Sequence, residues 1–263
     1  MIAVGIASVG LRGPSLPSWS SGRDWLAGLV NDAPESGEGP GWSPPAGSEL
    51  RRTTGAVRVA MAAAQEAAQA CGSSRELLHP VFASSAGDAP LLGSLLDTLA
   101  DPTRAVSPTQ FHNSVHNAAV GYWSILNSNR SPSTSLAAAD STFAVGLLRS
   151  ALECRLRRVP VLFVAFDVPF PSPLDACRPL VAPFALALVL VPDAKTGVAS
   201  AELSVEAKGP ETSVGRAELR VLQAHNPAAR GIPLLECLAR GGSSAVSIGL
   251  SEHQSLHVRI EPC

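Results

Sequence analysis

The sequence predicts a layered α/β fold built around a central sheet, and three observations carry this prediction. Two uninterrupted apolar runs, Val159–Phe166 and Phe184–Val191, have the length of strands that are buried on both faces. The alanine-rich segment Val57–Cys71 repeats its apolar positions at helical spacing. Strand-like and helix-like segments alternate along most of the chain, which is the order expected when helices cover a sheet.

The N-terminal part is predicted to begin with a strand. Residues Ile2–Val9 alternate between small and aliphatic side chains, which is typical of a strand closely covered by helices. A short helix is expected at Asp24–Val30, and residues 31–49 form a loop rich in Pro, Gly and Ser. The alanines of Val57–Cys71 predict a helix that packs closely against a neighbouring layer.

The middle of the chain continues this alternation. We expect a strand at Pro80–Ser84, a leucine-rich helix at Leu91–Leu99 and one helix over residues 111–126. A loop and a short strand follow at Ser131–Ala139. A helix with a single apolar stripe then runs from Asp140 to about Arg157.

The two apolar runs are the next strands, and the loop between them, residues 167–182, carries four prolines. After them the sequence predicts a strand at Ala201–Lys208 and a short helix over residues 230–240. A hairpin is expected at Ala245–Ile260, with its turn around Ser251–Gln254. We find no internal repeat and no linker that divides the chain.

Composition and charge exclude several classes of protein. The chain has 263 residues, of which 46% are hydrophobic and 16% charged, so it is not disordered as a whole and can bury a sizeable core. Its formal net charge of −2 offers no general basic surface for nucleic acid. The strongest apolar runs are far shorter than the roughly 20 residues that cross a membrane, so we expect no membrane span.

The cysteines and the N-terminus indicate a cytoplasmic protein. Five cysteines are odd in number, widely spaced and without a CxxC pair, so reduced thiols are expected. The opening MIAVGIASVG lacks the basic region of a secretory signal and fits a first strand instead.

Asp140 is the first candidate site residue, because it lies where a short strand of tiny residues turns into an amphipathic helix. The simpler interpretation is helix capping, since an acid at a helix start accepts backbone N–H bonds. The alternative is an elbow that presents one side chain at the helix start, where an enzyme places a nucleophile or binds an oxyanion.

His112 and His116 are four residues apart on the predicted helix over residues 111–126 and would share one face. Two histidines at this spacing can bind a metal, but the zinc-protease pattern needs Glu directly after the first, where this chain has Asn113. No third ligand is indicated nearby. We therefore expect structural histidines and no metal site.

The remaining chemical signals are weaker. Cys177 precedes Arg178, and a basic neighbour favours a reactive thiolate. No histidine is close to Cys177 in sequence, so a buried or half-buried structural cysteine is the simpler interpretation. His225, His253 and His257 lie in the C-terminal part, and the last two are expected at the surface. The chain contains no GxGxxG, Walker-type or GxSxG motif, and no cofactor is indicated.

Several segments, in this order, resemble the N-terminal half of β-ketoacyl synthases of the thiolase superfamily. They are MIAVGIASVG, the helix Val57–Cys71, VFASSAGD, FHNSVHNAAVGYWSI, SLAAADSTFAVGLLRSALE, VPVLFVAFD and FALALVLVPD. The resemblance covers roughly residues 1–195. It implies a thiolase-like αβαβα fold with a complete N-terminal half, residues 1–195. A truncated C-terminal half, residues 196–263, then forms a short strand and hairpin region that completes or extends the fold.

The same resemblance implies that the chain has no condensing activity alone. In active family members the elbow carries a cysteine that accepts the acyl chain, and Asp140 stands at that position here. The family also uses two histidines from its second half, one in a His-Gly-Thr-Gly-Thr type motif, and no such motif follows residue 195. Chain-length factors share this departure: they are ketosynthase-like subunits that pair with an active ketosynthase and shape its acyl tunnel.

The short form with the FHNSVHNAA segment is similar to the chain-length factor of aryl polyene and xanthomonadin-type pigment pathways. The resemblance implies a heterodimer with an active β-ketoacyl carrier-protein synthase, which an acyl carrier protein reaches through the complex. Eight apolar residues are candidates for the tunnel wall and the interface: Leu91, Leu92, Leu95, Leu96, Phe111, Val115, Tyr122 and Trp123. The alternative is that they fill this chain's own core.

Two other functions stay open from the sequence. One is an active acyl-transferring or hydrolytic thiolase-like enzyme that uses Asp140 or the pair His112 and His116. The other is a pathway scaffold or carrier-protein-binding module that shapes no product.

Overall fold

A single mixed β-sheet organises the part of the chain that the computed structural model describes, residues 1–35, 39, 41–45 and 49–263. Its strands are β1 (Ile2–Arg12), β2 (His79–Ala83), β3 (Thr134–Leu136), β4 (Val161–Asp167), β5 (Phe184–Val191), β6 (Ala199–Ala207), β7 (Ser244–Gly249) and β8 (Gln254–Pro262). They lie in the order β3-β2-β4-β5-β1-β6-β8-β7. The loop predicted over residues 31–49 lies partly outside the described residues.

The strands of this sheet mix two pairing directions. β2 pairs in parallel with β3 and with β4, whereas all other neighbouring strands pair antiparallel. The carboxyl ends of β2, β3 and β4 therefore meet at one edge of the sheet, and this edge holds the site described below.

Helices cover both faces of the sheet, which confirms the predicted α/β class. The described helices are α1 (Trp19–Leu26), α2 (Gly55–Ala70), α3 (Ala89–Ala100), α4 (Pro108–Asn113), α5 (Ala118–Leu126), α6 (Thr142–Arg157), α7 (Arg220–His225) and α8 (Ile232–Arg240). α2 and α5 pack on one face, and α1, α6 and α8 pack on the other. One sheet between two helical layers supplies three of the five layers of an αβαβα fold.

Strand β5 shows how the sequence selects these layers. Its large side chains, Phe184, Leu186, Leu188 and Leu190, belong to the core cluster of α6, while Ala185, Ala187 and Val189 belong to the cluster of α2. The small side chains match the alanine-rich surface of α2, which lies close to the sheet. At Gly10 of β1 an added Cβ would lie 2.0 Å from the carbonyl oxygen of Ala63, so only glycine fits there.

The C-terminal residues extend the same sheet. β6 pairs with β1, β8 with β6, and β7 with β8. The predicted hairpin at Ala245–Ile260 is confirmed as β7 and β8, and the predicted helix over residues 230–240 is confirmed as α8. The outer side of β7 is covered at its middle, where the Thr212 amide donates to the Ser247 carbonyl oxygen at 2.8 Å.

Two predicted helices were wrong in their limits. The helix expected at Asp24–Val30 is α1, which begins at Trp19 because the Ser18 hydroxyl accepts a hydrogen bond from the Ser21 amide and caps it.

The helix expected over residues 111–126 is two helices, α4 and α5, with a break at residues 114–117. At this break the Ser114 hydroxyl donates to the Phe111 carbonyl oxygen at 2.8 Å, a local bond that competes with helix continuation. The Asn113 side chain binds outside the helix, to the Arg52 carbonyl oxygen and the Tyr122 hydroxyl.

All five cysteines are unpaired thiols. No helix in the described part of the chain is long and apolar enough to span a bilayer.

Candidate functional site

The candidate site lies at the edge where β2, β3 and β4 end. Ser84 follows β2, Asp167 closes β4, and the turn after β3 leads through Asp140 into α6. Ligands of open α/β sheets bind beyond the carboxyl ends of parallel strands. The turn into α6 is a sharp elbow, because Ala139 adopts a φ of 46°, in the region that residues other than glycine rarely occupy.

Asp140 is held at this elbow by two arginines. Its Oδ1 lies 2.8 Å from Nη2 of Arg178, and its Oδ2 lies 3.3 Å from Nη2 of Arg230. The Asp140 side chain is 58% exposed, whereas the two arginine side chains are 33% and 23% exposed. Each carboxylate oxygen thus has its own guanidinium partner.

The prediction that Asp140 caps α6 is wrong. Asp140 lies inside the 3₁₀ turn Ala139–Ser141, and the capping position belongs to Ser141, whose side chain makes no capping hydrogen bond. The fully buried Thr142 closes the junction instead. Its hydroxyl accepts from the Ala138 amide at 3.0 Å and donates to the Ala139 carbonyl oxygen at 2.7 Å.

A cavity of about 170 Å³ adjoins Asp140. Besides Asp140 and its two arginines, it is lined by Cys177, Pro179, Leu180, Ala224, His225 and Pro227. The expectation that Cys177 is buried or half-buried is wrong, because this cysteine is exposed at the cavity. The fold also brings His225 to the same cavity, although it is distant from Cys177 in sequence.

The predicted pair His112 and His116 does not share a helical face, because α4 ends at Asn113 and His116 lies in the break before α5. The ring of His116 instead joins two strands. Its Nδ1 lies 2.8 Å from the Ser135 hydroxyl of β3, and its Nε2 lies 2.9 Å from the Ser84 carbonyl oxygen after β2. His112 contacts Tyr122 edge to face.

No cluster of three metal-ligating side chains occurs among residues 1–35, 39, 41–45 and 49–263. Of the two C-terminal histidines expected at the surface, His253 is exposed. His257 is half-buried and lies 3.8 Å from a carboxylate oxygen of Glu206.

Asp167 is a second acid at the same edge, and sequence reasoning missed it. It is fully buried, and its Oδ1 accepts hydrogen bonds from both the hydroxyl and the amide of Ser85 and from the Ser84 hydroxyl, at 2.8–3.0 Å. Its Oδ2 has no partner within the described residues. Burial raises the pKa of Asp167 to about 6, although the hydrogen bonds from Ser85 and Ser84 and the charge of Arg178 act in the opposite direction.

The eight predicted tunnel and interface residues fall into two groups. Leu92, Leu96, Phe111 and Val115 are 44–69% exposed. Leu91, Leu95, Tyr122 and Trp123 are buried, and the last two belong to the core cluster of α2. Leu91 also lines a larger, mostly apolar cavity of about 830 Å³ beside the start of α2, together with Arg58 and Asp88.

Arg230 was also absent from the sequence prediction, and no local signal marks it. It is one of 18 scattered arginines, and 90 residues separate it from its partner Asp140. Only the folded chain reveals this contact.

The family described as "Beta-ketoacyl synthase, N-terminal domain" matches residues 48–251, most of the chain. No curated protein matches the chain.

Solved structures are similar over nearly the whole length. One chain of the structure of the ketosynthase ApeO in complex with its chain length factor ApeC, from Xenorhabdus doucetiae, is 20% identical over 98% of this chain and 100% of that chain, with a TM-score of 0.69. The ishigamide ketosynthase/chain length factor is 13% identical over 100% and 99% of the two chains, with a TM-score of 0.71.

A third structure, AntDE:AntF, contains a type II acyl-carrier protein in complex with its ketosynthase bound to the hexaketide. It is 10% identical over 100% of this chain and 99% of that chain, with a TM-score of 0.75. These similarities show the thiolase-like ketosynthase fold. By its family match and its fold, the chain belongs to the β-ketoacyl synthase family.

Proposed function

We propose that this chain is a non-catalytic subunit of the chain-length-factor type, which pairs with an active β-ketoacyl carrier-protein synthase in type II polyketide biosynthesis. The observation that carries the proposal is Asp140. It stands where the resemblance places the nucleophilic cysteine, and both of its carboxylate oxygens contact arginines. The ketosynthase and chain-length-factor complexes among the similar structures support this role.

The chemistry at the elbow argues against a condensing enzyme. Attack of a carboxylate on a thioester would form a mixed anhydride, which is higher in energy than the thioester and is readily lost. The carboxylate of Asp140 is also engaged by Arg178 and Arg230. Of the six histidines, all within the described residues, only His225 lines the cavity beside it. A family mechanism that needs two histidines has no second one there.

An exposed apolar surface next to the end of the sheet is the proposed contact with the ketosynthase. We define this apolar face as Leu92 and Leu96 of α3, Phe111 of α4, and Val115. α3 and α4 are linked by the hydrogen bond from the Gln110 amide to the Ser94 hydroxyl at 3.0 Å. Exposed large apolar side chains grouped on neighbouring elements are typical of protein interfaces.

The end strand β3 continues this surface. β3 pairs with β2 alone, so its outer side carries backbone groups free of strand partners within the described sheet. His116, the residue after Val115, contacts the Ser135 hydroxyl of β3 and so holds the apolar face next to this strand. We therefore propose that the partner ketosynthase covers β3 and the apolar face together.

The acyl tunnel is proposed to pass this surface. A growing polyene is long and apolar, so its tunnel must be dry and closed at a defined depth. Leu92 and Leu96 are available to line it, and Leu91 and Leu95 are buried on the same helix, whereas Tyr122 and Trp123 belong to the core cluster of α2. An aryl polyene as product and access of an acyl carrier protein through the complex belong to the same proposal.

Co-expression with the ketosynthase tests the pairing. Phe111→Glu places a charge on the apolar face and is expected to abolish 1:1 co-purification. The matched control is Leu156→Glu, because Leu156 is 79% exposed on α6, outside the apolar face. Equal co-purification of both variants would refute the proposed contact surface.

A condensation assay tests the role. The chain alone is expected to leave malonyl and acyl carrier proteins unchanged, and turnover by the chain alone would refute the proposal. In the complex, Leu92→Trp and Leu96→Trp are expected to shorten the product. If a stable complex of these variants makes products of unchanged length, the chain is a scaffold rather than a chain-length factor.

A further inference from the structure

We propose that Arg178 and Arg230 form a binding site for a small carboxylate, and that Asp140 occupies this site as an internal ligand. The two guanidinium groups approach opposite oxygens of one carboxylate, at 2.8 and 3.3 Å. Charge-assisted bonds between arginine and carboxylate are the geometry by which proteins recognise such anions.

The convergence of the two arginines needs an anion between them. Arg178 follows the 3₁₀ turn Leu174–Ala176, and Arg230 belongs to the 3₁₀ turn Ala228–Gly231, 52 positions later. Two like charges directed at one point repel each other unless a negative charge lies between them. Surface ion pairs commonly join one acid to one base, whereas here two half-buried bases contact one acid, although the charges of Arg178 and Arg230 also act on Asp167 and Glu211.

The backbone of Arg230 is held by contacts that do not involve Asp140. The Asn226 side-chain oxygen accepts from the amides of Ala228 and Ala229 at 3.0 and 3.3 Å, and its nitrogen donates to the Ala182 carbonyl oxygen at 2.9 Å. Gly231 packs against Phe143, where an added Cβ would lie 2.4 Å from the ring. The site is therefore preorganised, which lowers the cost of binding.

The segment of Arg178 is fixed in a similar way. The Arg178 amide donates to the Leu174 carbonyl oxygen at 3.3 Å, and the Leu180 amide donates to the Arg178 carbonyl oxygen at 3.0 Å. Leu180 itself is buried. The backbone on which both arginines stand therefore does not depend on the side chain of residue 140.

The site has room for an external anion. The adjoining cavity of about 170 Å³ is several times the ~30 Å³ share of one water molecule, and truncation of Asp140 would enlarge it. In the natural chain a free carboxylate competes with an attached one of high effective concentration. Asp140 thus closes the elbow to small acids, independently of any partner subunit.

Chemical rescue of the full chain tests this inference. Asp140→Ala is expected to lower the unfolding temperature, and acetate or malonate is expected to restore it saturably in the millimolar range, with chloride at equal ionic strength as reference. Asp140→Asn fills the same space without charge. Acetate or malonate should raise its unfolding temperature at least tenfold less than that of Asp140→Ala. The double variant Asp140→Ala/Arg230→Gln should not respond.

Glu202→Ala is the matched control. It breaks the exposed contact of 3.2 Å between Glu202 and Arg259 on the sheet surface, and neither residue lines the cavity beside Asp140. The inference is overturned if Asp140→Ala responds to carboxylates no more than this control, or if the natural chain responds equally well. Should Asp140→Ala fail to fold, Asp140→Ser provides the same test.

Discussion

Two acids at the same edge of the sheet have opposite environments. Asp140 is more than half exposed and has two arginine partners, whereas Asp167 is fully buried and accepts only neutral donors. Arg178 acts on both, since it contacts Asp140 and its charge opposes the raised pKa of Asp167. The negative charge of the exposed Asp140 is therefore more fully neutralised by positive charge than that of the buried Asp167.

The raised pKa of Asp167 predicts a pH-dependent stability. Because its pKa rises from 3.8 to about 6 on folding, the protonated carboxyl stabilises the fold fully below about pH 4, and this contribution is lost as the pH rises through 6. Between pH 4 and pH 7 the free energy of unfolding of Asp167→Asn should therefore rise relative to the natural chain, by about 2 kcal/mol. Denaturant titrations at both pH values measure this difference.

The unpaired amide that Asp167→Asn buries adds a constant cost and does not change this slope. Asp193→Asn serves as control, because hydrogen bonds from Lys195 and Thr196 lower the pKa of the exposed Asp193. The contribution of Asp193 to the free energy of unfolding changes only below about pH 4. A difference between Asp167→Asn and the natural chain that stays constant from pH 4 to pH 7 would contradict the assignment.

At the scale of elements, the close approach of β1 to α2 allows a direct test of the packing. Gly10→Ala would place a Cβ 2.0 Å from the carbonyl oxygen of Ala63, so either the strand or the helix must move. We expect a loss of about 2 kcal/mol or more in the free energy of unfolding. Thermal and denaturant unfolding measure it.

Gly121→Ala is the matched control for that substitution. Gly121 lies within α5, and an added Cβ there meets nothing within 4 Å. Since alanine is the better helix former, this variant is expected to gain up to about 1 kcal/mol. Equal destabilisation of both variants would show that the distance between β1 and α2 does not limit the fold.

Elements with a strong local pattern could be predicted from the sequence. Helix α2 and strand β5 match their predicted ranges closely, because apolar periodicity and tertiary packing favour the same structure there. The break between α4 and α5 was missed in part because the Asn113 side chain there binds the Arg52 carbonyl oxygen, 61 residues away. The capping role of Asp140 was wrong for the same reason, since its partners lie 38 and 90 residues away.

At the scale of the whole molecule, the residues after 195 are predicted to be essential for folding. A chain that ends at residue 195 loses β6, the partner of β1, and also loses α8, whose Ile232, Leu234 and Leu235 are buried in the core. We expect this fragment to show no cooperative unfolding transition by circular dichroism. A chain shortened only by the exposed residues 261–263 should unfold like the full chain.

A cooperative transition in the fragment would mean that residues 1–195 fold on their own. We propose instead that residue 195 does not separate two folding units. The continuous sheet from β3 to β7 supports this proposal.

The two ends of the sheet differ in a way that limits assembly. At one end Thr212 makes two hydrogen bonds to the backbone of Ser247, in the middle of β7, at 2.8 and 2.9 Å. Thr212 thereby obstructs the addition of another strand to β7. At the other end β3 is short and has no such cover within the described sheet. Growth from both ends would produce open-ended filaments, whereas a molecule with one receptive end stops at a pair.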